Sequence, residues 1–205
     1  IEGGVGANIQ LTTQDGGKGQ VQVRLDLADV SLNAPAMGWS KKVGVAGGAQ
    51  VDLEIDGTRL IDIPRFSLAA GDLRINGSAS YAEDGTGLDK IDITQLSYDR
   101  TDLTGVFIPG HDGGWTVSFH GPSFDLTPMF EDLFKAPPDD EDRFGLKLSL
   151  SAKIDKVWIG KKRYLKQITG TFARADDQWR RMNIDGALSS GKRFQVNLTP
   201  NGKGK

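Results

Sequence analysis

The sequence predicts an all-β fold, a long curved antiparallel sheet with one short helix. Apolar and polar residues alternate through run after run of the chain, and Asp- and Gly-rich turns separate the runs. Only one segment has helical spacing, so the crossover helices of a parallel α/β sheet are missing. We therefore expect repeated meander units whose strands have one apolar and one polar face.

The alternating runs supply the candidate lining of that apolar face. Each run places its apolar side chains two residues apart, so they share one side of a strand. A closed sandwich core and an open groove give the same pattern, and alternation leaves both possible. The candidate lining residues are Val21, Val23, Leu25, Val51, Leu53, Ile55, Leu73, Ile75, Ile91, Ile93, Trp115, Val117, Phe119, Leu146, Leu148, Leu150, Ile184, Phe194 and Val196.

One helix is predicted, from Thr127 to Lys135, with Thr127 as its N-cap and Pro128 in its first turn. Two prolines then end it. Its apolar face should dock on the apolar side of the sheet, where it either plugs one end of a groove or completes a closed core. The residues of that face are Met129, Phe130, Leu133 and Phe134.

The helix suggests a division of the chain into three parts. Residues 1–135 form a β segment that ends in the helix, and residues 136–143 form an acidic, Pro-rich loop. Residues 144–205 continue the β structure.

An internal repeat supports the meander. Residues 103–107, LTGVF, recur as residues 168–172, ITGTF, and each copy is followed by a tryptophan and a second alternating strand. A looser third copy spans residues 61–81. We expect these units to stack along one axis.

Composition excludes several classes of function. The net charge of −2 and the pI near 5.7 argue against a nucleic-acid groove. The chain has no cysteine, so no thiolate site can form. It has no run of the about 20 apolar residues that cross a bilayer. Because it begins with Ile, we expect a piece of a longer protein whose targeting or anchoring segment lies elsewhere.

No residue set predicts catalysis, a metal or a cofactor. The two histidines, His111 and His120, come without converging ligands, and the acidic run 139–142 lacks the spacing of a calcium loop. The Gly clusters at 3–6 and 44–48 lack the Lys-Ser or Lys-Thr of a phosphate loop. We therefore predict a protein that is not an enzyme.

Several short sequence segments resemble those of the AsmA-like family of bacterial proteins, in the branch with a YhdP-like central domain. They are residues 30–41, 63–66, 103–105 and 121–128, and their order and spacing carry the resemblance across most of the chain. Members of this family resemble bridge-like lipid-transfer proteins, with an inner-membrane anchor and a long periplasmic β-groove shaped like a taco.

The resemblance implies an internal segment of such a groove, which binds phospholipid acyl chains and contributes to outer-membrane biogenesis. The implied location is the periplasm, with the full-length protein anchored in the bacterial inner membrane. The alternative is a closed β-sandwich that serves as a structural or protein-interaction domain of the cell envelope. Neither interpretation involves nucleic acid.

Overall fold

The computed structural model describes residues 2–14, 16–82, 87–129, 147–175 and 178–199. The predicted all-β class, with long and mostly antiparallel strands and one short helix, is confirmed. The strands are β1 (Glu2–Gly3), β2 (Gly6–Thr13), β3 (Lys18–Asp26), β4 (Val30–Ala34), β5 (Trp39–Lys41), β6 (Gly47–Asp56), β7 (Arg59–Ala70), β8 (Leu73–Tyr81), β9 (Leu88–Tyr98), β10 (Thr101–Pro109), β11 (Trp115–Asp125), β12 (Leu148–Trp158), β13 (Tyr164–Ala175), β14 (Gln178–Leu188) and β15 (Arg193–Leu198).

Twelve strands form one open sheet in the order β15-β14-β13-β12-β11-β10-β9-β8-β7-β6-β3-β2. The remaining three form a small sheet in the order β1-β4-β5, with a 3-10 turn at Pro35–Met37 between β4 and β5. The contacts divide the chain into two compact units, unit 1 (Ile1–Thr104) and unit 2 (Gly105–Lys205). Each unit is described by itself below.

One pairing departs from the predicted antiparallel meander. Strands β11 and β12 run parallel, from Trp115 opposite Leu148 to Asp125 opposite Trp158. A parallel pair needs a crossover connection, and most of the chain between these two strands lies outside the described residues. The alternating pattern marks strands but not their direction, so it could not predict this exception.

The turns follow the predicted Asp-Gly signals wherever those signals fall on described residues. Gly57 has a φ of 59° in the β6–β7 hairpin, a conformation that glycine adopts without steric cost. The β10–β11 hairpin closes with Gly110 N–H donating to the Gly114 carbonyl at 2.7 Å. Asp15 and the Asp84-Gly85 turn lie outside the described residues.

The predicted helix begins at Thr127, where residues 127–129 are helical. The Asp125 side chain accepts a hydrogen bond from Thr127 N–H at 2.9 Å, and Asp125 is itself buried. Met129 is 43% exposed. The rest of the predicted helix face, Phe130, Leu133 and Phe134, lies outside the described residues, as does the acidic loop 136–143. Docking of the helix on the sheet therefore stays a prediction.

The cap, which we define as residues 28–46, is an insertion in the hairpin between β3 and β6. The chain leaves at Leu27, whose N–H donates to the Gly47 carbonyl at 3.0 Å, and Asp26 pairs with Gly48. The cap contains β4, β5 and the 3-10 turn, so its two ends meet while its middle folds over the sheet.

The cap and the large sheet together make the buried cluster of unit 1. Trp39 packs with Ala70, Leu73 and Tyr98, and partly buried apolar residues surround them. Those surrounding residues come from the cap and from β7, β8 and β9, namely Leu32, Ala34, Met37, Leu68, Ile75 and Leu96. The cap thus covers one part of the apolar side of the sheet.

The internal repeat maps onto strands of matching position. Residues 103–107 lie in β10 and residues 168–172 in β13, and each strand is followed by a hairpin partner, β11 or β14. The looser third copy corresponds to β7 and β8. The sequence repeat is therefore a repeat of strand pairs.

Candidate functional site

Apolar side chains form continuous rows across unit 1, at right angles to its strands. The pairing register aligns residues of six neighbouring strands, and paired residues point to the same face of a sheet. The first row is Ile9, Val23, Val51, Phe66, Gly77 and Ile93. The second row is Ala7, Leu25, Ala49, Leu68, Ile75 and Leu96.

The first row is not sealed inside unit 1, whereas the cap covers Leu68, Ile75 and Leu96 of the second row. Val23, Val51, Phe66 and Ile93 are only half-buried, although they lie in the interior of the sheet. At the edge strand β2, Ile9 is 68% exposed. A partly exposed apolar face of this kind is a candidate interaction surface.

The opposite face of the same strands is polar. The Asp52 carboxylate accepts hydrogen bonds from the side-chain amides of Gln22 and Gln50 at 3.0 and 2.9 Å, and it pairs with the Arg65 guanidinium at 2.7 Å. These hydrogen bonds lower the pKa of Asp52, and the bond from Gln50 has the largest effect. Burial acts in the opposite direction and raises the pKa. This face is therefore polar and hydrogen-bonded, in contrast to the apolar rows on the other face.

Polar contacts hold the cap against the sheet, and one of them is the Gly71 N–H of the β7–β8 turn, which donates to the Ala46 carbonyl of the cap at 3.1 Å. Trp39 Nε1–H donates to Asp72 Oδ1 at 2.9 Å, while Asp99 N–H donates to Asp72 Oδ2 at 3.2 Å. The bond from Trp39 lowers the pKa of Asp72. The contact fixes the indole over the cluster of Ala70, Leu73 and Tyr98.

Unit 2 carries its own apolar rows across five strands. The register places one row from β11 to β15 through a parallel pair and three antiparallel pairs, and a second row lies beside it. The first is Val117, Leu150, Phe172, Met182 and Leu198. The second is Phe119, Ala152, Gly170, Ile184 and Val196.

Exposure in unit 2 rises towards its edge strand, as in unit 1. Val117 is 5% exposed, whereas Val196 and Leu198 on β15 are 40% and 56% exposed. Leu150 and Ile184 between them are half-buried. Both units therefore present an apolar face that opens towards an edge.

Glycines within the rows are covered by aromatic rings. A Cβ added to Gly77 would meet the Phe66 ring at 2.5 Å, and one added to Gly170 would meet the Phe172 ring at 2.7 Å. Gly105 of β10, which belongs to neither row, is covered by Phe119 of the second row of unit 2 in the same way, at 2.8 Å. The rings fill the gaps that the missing side chains would leave, so the rows stay continuous.

The structure brings together the predicted lining residues within each unit. In unit 1 they lie on β3, β6, β8 and β9, and in unit 2 on β11, β12, β14 and β15. Leu73 and Val117 are buried, and the others whose burial is described are half-buried or exposed. Leu146 lies outside the described residues. That the set lines a lipid groove stays a prediction.

Several row members were not among the predicted lining residues. Ile9 and Leu11 alternate in β2, a signal that was available in the sequence. Phe66 and Leu68 were hidden because the register of β7 shifts against β8 between Ile63 and Phe66, so simple alternation fails there. Phe172 follows Ile168 and Gly170 at two-residue spacing, a signal that was also available in the sequence.

Such register shifts occur in the β6–β7, β7–β8, β8–β9 and β13–β14 pairings. A bulge bends its strand and increases the local twist. Pro64 lies at one of them, where its missing N–H removes no ladder hydrogen bond. The bulges therefore shape the two apolar faces locally.

Features of other functional classes are sparse in the described part of the chain. A shallow depression of about 250 Å³ in unit 1 is lined mainly by polar side chains, among them Gln10, Gln20 and Glu54. No three His, Cys, Asp or Glu side chains group as metal ligands within the described residues. No described helix has the length and apolar character needed to cross a membrane.

Comparison with protein-family models, with curated proteins and with solved structures finds no match to this chain.

Proposed function

We propose that this chain binds the acyl chains of phospholipids along its apolar rows, as a segment of a non-enzymatic lipid conduit. The observation that supports this is the continuity of the rows across neighbouring strands in each unit. A continuous half-exposed apolar strip suits a long, flexible, apolar ligand without specific polar contacts.

The dimensions of the rows suit an acyl chain. Strands lie about 4.8 Å apart, so a row over six strands is about 24 Å long and a row over five is about 19 Å. The hydrocarbon of one bilayer leaflet is about 15 Å thick, which is half of the about 30 Å core. One extended acyl chain fits along the first row of either unit.

The energetics favour such binding. Each methylene removed from water contributes about 0.8 kcal/mol, and the contribution needs no directional contact. The half-buried side chains of Val51, Phe66 and Leu150 would gain cover from the ligand as well. The polar headgroup would stay in water at the rim.

The resemblance to the AsmA-like family adds the setting of this proposal. From it we expect the segment to lie in the periplasm, within a longer protein anchored in the inner membrane, and to take part in lipid transport to the outer membrane. It also implies that no catalytic group, metal or cofactor takes part.

The test compares two substitutions on one strand. Leu150→Asp puts a carboxylate into the first row of unit 2, while Ser151→Asp puts it on the opposite, exposed face beside Ser118 and Thr171. The parent chain should co-purify with phospholipid detectable by mass spectrometry of an organic extract. Leu150→Asp should lower the amount several-fold and keep the β-type circular dichroism spectrum, because in an open groove the carboxylate reaches water. Ser151→Asp should change neither.

Two results would contradict the proposal. A parent chain that purifies without phospholipid has no ligand of this class. A Leu150→Asp variant that unfolds, while Ser151→Asp does not, shows a close-packed core that cannot hold a charge.

A second candidate function, a protein-interaction domain, is favoured by one observation. Edge strand β2 is exposed along all eight of its residues, including Ile9 and Leu11. An open strand edge can accept a strand from a partner through main-chain hydrogen bonds. A lipid-free parent chain would favour this function.

A further inference from the structure

Positive charge is concentrated at one end of the unit 2 sheet, which we call the basic end (residues 156–166 and 187–193). Its first segment contains five cations and its second contains two, and neither contains an Asp or a Glu, although the whole chain has a net charge of −2. The cations are Lys156, Lys161, Lys162, Arg163, Lys166, Lys192 and Arg193.

Strand pairing brings the two segments together. Lys166 of β13 lies opposite Ala187 of β14, which lies opposite Arg193 of β15. The β12–β13 turn and the β14–β15 turn therefore come at the same end of the sheet. Five of the cations are exposed, namely Lys161, Lys162, Arg163 and Lys192 in the two turns and Arg193 at the start of β15.

Two aromatic side chains lie among these cations. The Trp158 and Tyr164 rings are 5.3 Å apart between centroids and tilted by 59°. Lys156 Nζ lies 4.9 Å from the centroid of the first ring and 4.8 Å from that of the second, and Lys166 Nζ lies 5.8 Å from the Tyr164 centroid. Trp158 Nε1–H donates to Ser123 Oγ at 3.1 Å, so its polar edge is satisfied.

We propose that the basic end docks on the anionic headgroup surface of a phospholipid bilayer. Clustered Lys and Arg are attracted to anionic lipids, and Trp and Tyr prefer the level of the headgroups. The neighbouring Leu188, 42% exposed, adds apolar area beside the turns. The docking does not require the proposed acyl-chain binding.

The geometry favours a bilayer over a nucleic acid. A protein that binds nucleic acid contacts the phosphate backbone with a groove or face that is basic along its length. Here the exposed cations lie in or beside two adjacent turns at the end of a sheet, an arrangement that can contact a flat charged surface.

The experiment is flotation of the full chain with lipid vesicles. The chain should float with vesicles of phosphatidylglycerol and phosphatidylcholine in equal parts, and not with pure phosphatidylcholine. Each cation near an anionic surface strengthens binding about fivefold. The triple variant Lys161→Glu, Lys162→Glu, Arg163→Glu should therefore bind at least about a hundredfold more weakly, and salt should weaken the parent chain.

The matched control is the triple variant Lys18→Glu, Arg24→Glu, Arg59→Glu. It reverses three exposed charges in unit 1 and changes the net charge equally, so it should float like the parent chain. Circular dichroism checks that both variants are folded. Docking is overturned if both triple variants lose binding equally, if neither does, or if the parent chain binds an oligonucleotide more tightly than it binds the anionic vesicles at the same salt concentration.

Failure of docking is distinguishable from failure of acyl-chain binding. The basic-end variant should keep the phospholipid that co-purifies with the chain, because the substituted turn lies outside the apolar rows. A chain that retains this lipid but does not float overturns docking alone.

Discussion

At the scale of single residues, Lys41 is the most unusual side chain of unit 1. It is 2% exposed, and its ammonium donates to the carbonyls of Leu27 and Val30 at 2.6 and 2.7 Å, with longer bonds of 3.3 Å to the carbonyls of Ala28 and Lys42. The ammonium thus satisfies backbone acceptors at the base of the cap. Lys is rarely so buried, and here its partners are all carbonyl oxygens.

We predict that Lys41→Met destabilises the cap by about 3 kcal/mol, because it leaves buried carbonyls without a donor. Hydrogen exchange of β4 and β5 amides across a urea series measures this loss. The neighbouring Lys42 is exposed, so Lys42→Met should cost less than about 0.5 kcal/mol. Equal effects of the two substitutions would show that the carbonyl contacts contribute nothing specific.

At the scale of elements, the cap decides how much of the unit 1 face is covered. Trp39 is its main contact with the sheet. We predict that Trp39→Ala costs about 3 kcal/mol or more and speeds hydrogen exchange in β4, β5 and β8, because it leaves a cavity over Leu73. Exchange in β12 of unit 2 should stay unchanged.

The matched substitution Trp39→Phe keeps most of the apolar area and removes only the hydrogen bond to Asp72. It should cost about 1 kcal/mol. If the Phe variant exchanged as fast as the Ala variant, the polar contact rather than the packing would hold the cap.

At the scale of the whole chain, each unit has its own apolar rows, and we expect each to bind lipid. Val51→Asp in unit 1 and Leu150→Asp in unit 2 should each lower the co-purified phospholipid in part, and the double variant should remove most of it. Asn8→Asp, on the polar face of unit 1 opposite Arg24, is a control that should leave the amount unchanged. Complete loss from either single variant would assign the binding to one unit.

The sequence by itself determined the fold class and most of each apolar face. Alternation gave Val21, Val23, Val51, Val117 and Leu150 correctly as strand residues with a shared face, because successive strand side chains point to opposite sides. The Asp-Gly turns at residues 56–57 and 112–114 followed from local backbone preference. These are short-range properties, which nearby residues set.

Only the tertiary structure decided which strands are neighbours and what covers the face. The parallel β11–β12 pair, the bulge that brings Phe66 into a row, and the cap inserted between Leu27 and Gly47 depend on contacts distant in sequence. The basic end likewise arises because pairing sets Arg193 beside Lys166. The pairing register of strands that are distant in sequence depends on many weak contacts between them. A single run of residues does not contain that information.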